Sequence, residues 1–360
     1  MQGGRIRLET GRRRLLGWGS AYPGPALSSA ALCAQLEEVF GLKASRRGRM
    51  IATKLGVDTR HVCRDFEQAH EAPRPGARNP ELAAQAMQHA MHCAGLAPDG
   101  LSYLISHTTT PATLLPGGSA EIARRIGHTG AHMELRQACT GFANALQIAF
   151  AMTQAPDAAP VGIVGVETGS VYFDPQCLHT RPEQWVNFLQ MGDGAAAVVI
   201  GPDEMDMPDP FVTSAFFGQC QRAPEAGLCL KTGGSDAATV SAGTLHFDHN
   251  YDGVLKHGLA LLELGREALQ SQHFDVHDAA WVVPHQASGA LAPWLARTWQ
   301  LPVDRVCAHA ATVGNLGSAS IWAALDHLMS RRDTWQGNTA LFLGAEATQY
   351  SYGGFALQLS

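Results

Sequence analysis

Charge is scarce in this chain: Asp, Glu, Lys and Arg make up 16% of 360 residues, and aromatic residues only 7%. So little charge excludes a polymer kept open by self-repulsion, and 46% hydrophobic residues are enough for a large core. A basic excess is also missing. The net charge of −6 and pI of about 6.2 argue against nucleic acid as a partner. No apolar run reaches the roughly 20 residues that span a bilayer. The N-terminal arginines (Arg5, Arg7, Arg12, Arg13, Arg14) precede only a short one, Leu15 to Trp18, so a soluble, non-exported protein is expected. The eight cysteines form no CxxC and no framework spacing, which excludes a disulfide scaffold and predicts reduced thiols in the cytoplasm. Among the histidines, His246-Phe-Asp248-His249 is the tightest cluster with a carboxylate. It lacks the helical spacing of a zinc protease site, and no metal is expected.

What the chain does have is organised around Met133–Leu146. A short, partly apolar run ends in Gln137-Ala138-Cys139-Thr140-Gly141, after which Phe142, Leu146, Ala149 and Met152 recur at helical spacing. This predicts strand, sharp turn and helix with Cys139 at the turn. The unpaired N–H groups and positive end of such a helix favour a thiolate, the nucleophilic form of cysteine. The five residues around Cys139 also approach the caspase signature, but Thr140 falls outside that pattern and the rest of the chain does not suit that fold.

Two halves of the sequence echo each other. Leu101–His107 is a strand ending in a histidine, followed by a Thr/Pro/Gly loop and a helix over 118–127. Ala280–His285 repeats this, followed by a helix over 289–299. Val161-Gly-Ile-Val-Gly165-Val-Glu167 matches Thr339–Glu346 with Gly344 in the place of Gly165. The strand-turn-helix around Cys139 corresponds to 305–329, where Gly314-Asn315-Leu-Gly317-Ser opens the second helix. Each half closes on a strand, Gly192–Ile200 and Gly353–Leu359. Ordered matches at a nearly constant offset of about 180 residues point to an internal duplication. Strands alternating with helices predict an α/β fold with buried sheets, the halves being 1–205 and 206–360 with their boundary in the acidic, Pro-rich 202–210.

Ligands in such folds bind where strands end and helices begin. Cys139 occupies such a place in the first half, and His285 and Asn315 in the second, so the duplication predicts that they share one pocket. A thiol nucleophile needs an imidazole, and an imidazole with a neutral amide makes two donors for a developing oxyanion. Glu167 and Glu346 lie on equivalent strand ends. Paired charges there are more often structural, and neither enters the candidate site. Lys43, Arg46, Arg47, Arg49 and Lys54 form the one dense basic run away from the N-terminus, a solvated patch or a dock for an acidic carrier protein or a phosphate.

These motifs carry a resemblance. Gln-Ala-Cys139-Thr-Gly-Phe, Val-Pro-His285-Gln-Ala, Gly-Asn315-Leu-Gly-Ser-Ala-Ser, Gly192-Asp-Gly-Ala and Gly56-Val-Asp-Thr-Arg-His61 resemble the β-ketoacyl-ACP synthase III group of the thiolase superfamily, from about residue 14 to the C-terminus. The resemblance implies a five-layer αβαβα fold of two duplicated halves, usually a homodimer, and a Cys-His-Asn triad. Cys139 would accept an acyl group from a thioester, and His285 and Asn315 would stabilise the enolate formed as a malonyl-carrier unit decarboxylates. It implies acyl carrier protein or coenzyme A thioesters as partners and no metal or organic cofactor. By the same resemblance 353–359 and 161–166 suit a dimer seam, and a heterodimer with a related synthase stays open.

Several positions depart from the family pattern. Where the family has an adenine-stacking Trp and an Arg, this chain has Met50 and Lys54, which favours a primer on a carrier protein. The Arg five residues after the catalytic His is Ala290. The C-terminal glycine motif reads Ala347-Thr-Gln349-Tyr-Ser-Tyr-Gly353, which puts Gln349 where a glycine N–H would complete the oxyanion hole. Lys54, Gln349 and Gly353 are therefore the candidate substrate-binding residues. The departures point to a specialised fatty-acid or polyketide pathway. Two other readings stand beside condensation: acyl transfer from Cys139 to a hydroxyl or amine without decarboxylation, and a non-catalytic partner subunit.

Overall fold

The computed structural model describes residues 2–42, 47–67, 74–204, 210–221, 226–230 and 247–359. Its centre is one ten-stranded sheet path. The strands are β1 (Arg7–Glu9), β2 (Arg13–Ala21), β3 (Tyr103–His107), β4 (Ala131–Leu135), β5 (Val161–Glu167), β6 (Gly194–Gly201), β7 (Phe211–Gln219), β8 (Trp281–Pro284), β9 (Thr339–Glu346) and β10 (Ser351–Gln358). The helices that matter below are α1 (Ser29–Phe40), α2 (Arg47–Leu55), α3 (Asn79–Cys93), α4 (Gly118–Ile126), α5 (Gly141–Met152), α6 (Tyr251–Gln270), α7 (Leu291–Trp299) and α8 (Ser320–Met329).

The path splits into two five-stranded sheets, β4-β3-β5-β6-β2 and β8-β9-β10-β7-β1, joined among the described residues where Arg13 and Arg14 of β2 pair with Val212 and Phe211 of β7. Within each sheet the pattern repeats. The strand ending in histidine runs parallel to the next (β3 with β5, β8 with β9), and the closing strand is antiparallel (β6, β10). The place of β4 is taken in the second sheet by a single parallel bridge, Val282 to Val306. Strands β5 and β6 are buried at every residue, as their apolar sequences require, with Glu167 at the end of β5 the one charged residue among them.

Helices fill three layers around the sheets. α3 and α4 cover the outer face of the first sheet, while α6 and α7 cover that of the second. α5 lies against β5 and β3 on one side and β7 and β10 on the other, and α8 reaches both sheets likewise. The largest core cluster is this middle layer, where Phe142 meets Trp322 edge-on at 5.7 Å and Phe342 stacks on Phe355 at 4.5 Å. The order αβαβα is thus the expected five-layer arrangement. The expected boundary at 205 falls in 205–209, outside the described residues.

Gly165 and Gly344, the anchors of the duplication, share one cause. A Cβ at Gly165 would meet the carbonyl carbon of Ser318 at 2.8 Å and His107 Cε1 at 2.9 Å. One at Gly344 would meet Phe142 Cζ at 2.9 Å. Each glycine lets the start of the other half's middle-layer helix cross its strand. The dimer-seam expectation fails on topology: β5 and β10 are hydrogen-bonded on both sides, so neither offers an edge.

Candidate active site

Cys139 sits in the turn between β4 and α5, half-buried, with its carbonyl oxygen 3.5 Å from the Cβ position of Gly344 on β9. His285 follows β8 directly and is buried, and its N–H donates to the carbonyl of Leu343, the residue before Gly344 (2.6 Å). Both residues therefore meet at the C-terminal end of β9. Asn315 reaches the same place through Ser318, whose hydroxyl donates to the carbonyl of Gln137 at 3.1 Å, two residues before Cys139. The segments that carry the three predicted catalytic residues are thus tied together around the C-terminal end of β9.

Each is held from behind. Gln286 donates to the carbonyl of Cys307 (3.2 Å) and accepts from the Ala310 N–H (3.0 Å), tying the His285 turn to the segment leading to Asn315. Asn315 donates its N–H to Gln190 (2.8 Å) and accepts at its carbonyl from Gly192 (3.0 Å), so the Gly192-Asp193 motif is its brace. Its Oδ1 accepts from the Gly317 N–H (2.9 Å) and the Ser320 hydroxyl (3.3 Å), which fixes the amide orientation. The amide nitrogen then has no hydrogen bond among the described residues and remains a donor. The Gly56–His61 motif supports the same loop: Asp58 N–H donates to Ala311, and Thr59 Oγ1 to Thr312 (2.6 Å).

The site's electrostatics reverse one expectation. The start of α5 is not open, because Thr140 N–H and Oγ1 both donate to Glu346 Oε2, at 2.9 and 2.6 Å. Burial, then the Glu346 carboxylate and then that of Glu167, push the Cys139 thiol well above its ordinary value. Burial lowers His285 to about 4, and its Nδ1 is buried without a hydrogen-bond partner among the described residues. Burial thus favours the uncharged forms of both the Cys139 thiol and the His285 imidazole.

The substrate-binding candidates separate. Lys54 is exposed on α2 and shares a surface hollow with Arg49, Met50 and Thr53. The end of α2 abuts the segment after His285, where Ala290 N–H donates to Leu55 (3.0 Å). Lys43 and Arg46 of the basic run, and His246, lie outside the described residues. Gln349 is exposed on the β9–β10 turn, its carbonyl accepting from Gln219 Nε2 (3.4 Å). What joins that turn to Cys139 is Glu346 together with Ser351, whose hydroxyl lies 2.9 Å from Thr140 Oγ1. Gly353 is inside the sheet, where a Cβ would meet Ala143 Cβ at 2.5 Å and the Phe216 carbonyl at 2.9 Å, so it is a close-packing position.

Two residues that sequence reasoning set aside therefore touch the site. Glu167 accepts from Thr109 N–H and Oγ1 (3.0 and 2.9 Å), Thr110 Oγ1 (2.5 Å), Ser318 N–H (3.4 Å) and Ser318 Oγ (2.5 Å). Each strand-end carboxylate holds the catalytic turn of the opposite half. Their equivalence was visible in the Gly-x-Glu repeat; their crossing was not.

The chain matches two family models, described as 3-oxoacyl-[acyl-carrier-protein] synthase III over residues 133–216 and its C-terminal counterpart over 269–359. The chain is a β-ketoacyl-ACP synthase III-like enzyme of the thiolase superfamily. Against a β-ketoacyl-ACP synthase III of Xanthomonas oryzae pv. oryzae, this synthase III-like chain is 28% identical over 329 residues, covering 86% of its own length and 89% of the relative. The priming β-ketosynthase of a polyketide biosynthetic pathway superposes with a TM-score of 0.75 at 26% identity, over 99% of both chains. The tetronic acid condensing enzyme AbyA1 superposes with a TM-score of 0.81 over 96% of this chain and 99% of that one; at 24% identity that likeness carries the fold. Enzymes of this family are acyltransferases, and so is this chain. Among its described residues no helix is long and apolar enough to cross a membrane.

Proposed function

We propose that this chain catalyses a decarboxylative Claisen condensation on carrier-bound thioesters in a specialised fatty-acid or polyketide pathway. In the first step Cys139 Sγ attacks the donor thioester carbonyl. The carbon–sulfur bond of the donor breaks, and the thiol proton ends on the departing thiol. In the second, the malonyl-carrier unit loses CO2, and the electron pair left behind becomes an enolate facing His285 and the Asn315 amide. Its carbon attacks the acyl-Cys139 carbonyl, the Cys139 Sγ–carbon bond breaks with its electron pair going to sulfur, the 3-oxoacyl-carrier leaves, and Cys139 takes up one proton from solvent to restore the thiol. A neutral His285 suits this second step, because it supplies an N–H donor without protonating the enolate. The thioesters carry the chemistry, and the proposal calls for no metal or organic cofactor.

The observation that carries the reading is the fixed Asn315 amide, whose oxygen is engaged and whose nitrogen is left to donate. Transfer to a hydroxyl or amine has little use for that second donor. The hollow beside exposed Met50 and Lys54, next to the turn after His285, supports an acidic carrier protein as the donor's bearer. We propose further that the enzyme is a homodimer. The unpaired edge strand β4, with Ala131 and His132 exposed, and the 67% and 88% exposed Leu114 and Leu115 on the neighbouring loop support a second copy there.

Intact-protein mass spectrometry tests the reaction. A panel of acyl-CoA and acyl-carrier thioesters should load Cys139, and malonyl-carrier should then discharge the adduct as a 3-oxoacyl product. An adduct that resists malonyl-carrier but clears with an alcohol or amine would replace condensation with simple acyl transfer.

A further inference from the structure

Glu346 has no place in the reaction just described, yet it is buried and bonded to the residue that follows the nucleophile. Its Oε2 takes both donors of Thr140, and its Oε1 accepts from Thr348 Oγ1. The carboxylate thus closes the positive start of α5, the feature that elsewhere draws a cysteine toward thiolate. The other titratable groups facing Cys139 reinforce this. Glu167 adds a second carboxylate, and His285 and His107 are buried and neutral. Arg136, three residues away, is exposed and paired with Glu134 at 3.1 Å. Among the described residues no cation balances the two carboxylates at Cys139.

We propose that Glu346 is a positioning residue that keeps the resting nucleophile a neutral thiol, so that thiolate character develops only as the thioester is attacked. The device deepens the proposed function and rests on it for the identity of the nucleophile. Its use is selectivity. A resting thiol ignores small electrophiles and oxidants that a thiolate would meet, while a bound thioester is attacked as the proton leaves.

The test is alkylation of Cys139 by iodoacetamide across pH, followed by peptide mass spectrometry, which needs no acyl donor and so stands apart from the proposed reaction. Wild-type protein should show a midpoint above the ordinary cysteine value of about 8.5. Glu346→Gln, which keeps shape and an acceptor, should lower the midpoint by about one unit. Thr140→Val, which removes a hydroxyl and leaves the charge, should lower the melting temperature without moving the midpoint. A wild-type midpoint at or below the ordinary value overturns the proposal, whether or not the variants fold. So does an unmoved midpoint in Glu346→Gln, or an equal fall in Thr140→Val.

Discussion

The two catalytic turns occupy equivalent places in the two halves and are built to opposite ends. In the first, the turn between β4 and α5 presents Cys139 and is gripped by Glu346 from the second half. In the second, the turn before α8 presents Asn315 and is gripped by Glu167 from the first. The grips differ in number: among the described residues Glu167 accepts five hydrogen bonds and Glu346 three. The better-satisfied carboxylate holds a turn that donates a neutral hydrogen bond, and the less satisfied one lies against the nucleophile. Duplication supplied one clasp twice; chemistry divided its uses.

The comparison breaks most visibly at its ends. Cys139→Ala should abolish adduct formation with every thioester, a loss of about 10⁴-fold or more in condensation. Asn315→Ala should still load an acyl group on Cys139 but slow its discharge by malonyl-carrier about 10²- to 10³-fold, read as an adduct that accumulates. Equal loss of loading in both variants would erase the division of labour between the turns.

Stability sharpens the contrast between the clasps. Glu167→Ala should cost about 2–5 kcal/mol in denaturant unfolding, more than Glu346→Ala, because it strands more buried donors. Burial raises the Glu167 carboxyl, so the folded state holds that proton longer than the unfolded chain. Stability should therefore decline as pH climbs from the ordinary glutamate value of about 4.3 through the raised one, and Glu167→Gln should flatten that decline.

A smaller effect separates the two neutral donors from the solvent. With His285 lowered to about 4, the acid limb of condensation due to His285 should fall near 4, below the ordinary histidine value of about 6.5. A pH–rate profile in which His285 titrates near neutrality would contradict its burial. Smallest is the exposed hollow on α2. Lys54→Glu should raise the KM for a carrier-borne primer only a few-fold, with the difference fading in salt, as for surface charges in general.

Much of this arrangement was legible in the residues. The Gly-x-Glu and strand-His repeats announced the duplication, and the segments carrying Cys139, His285 and Asn315 are hydrogen-bonded or packed to the strand ends that the repeats pointed to. Misreadings arose where a neighbour from the other half decides the environment. The helix-start argument for Cys139 is sound for an open helix end, but Glu346 lies about 200 residues away in sequence and closes it. Gly353 looked like a site glycine by motif, and its meaning is the approach of α5 to the sheet. The seam at 161–166 and 353–359 was implied by the resemblance alone, and in this chain both segments are central strands, paired on either side. Contacts that cross between halves leave no local pattern to read.

The middle layer carries a last consequence. α5 and α8 each touch both sheets, and the largest core cluster mixes Phe142 and Leu146 with Trp322 and Phe355. Neither half can bury its own share alone, so unfolding should be a single cooperative event. A protein cut between β6 and β7 should behave as complementing fragments that gain structure only when mixed.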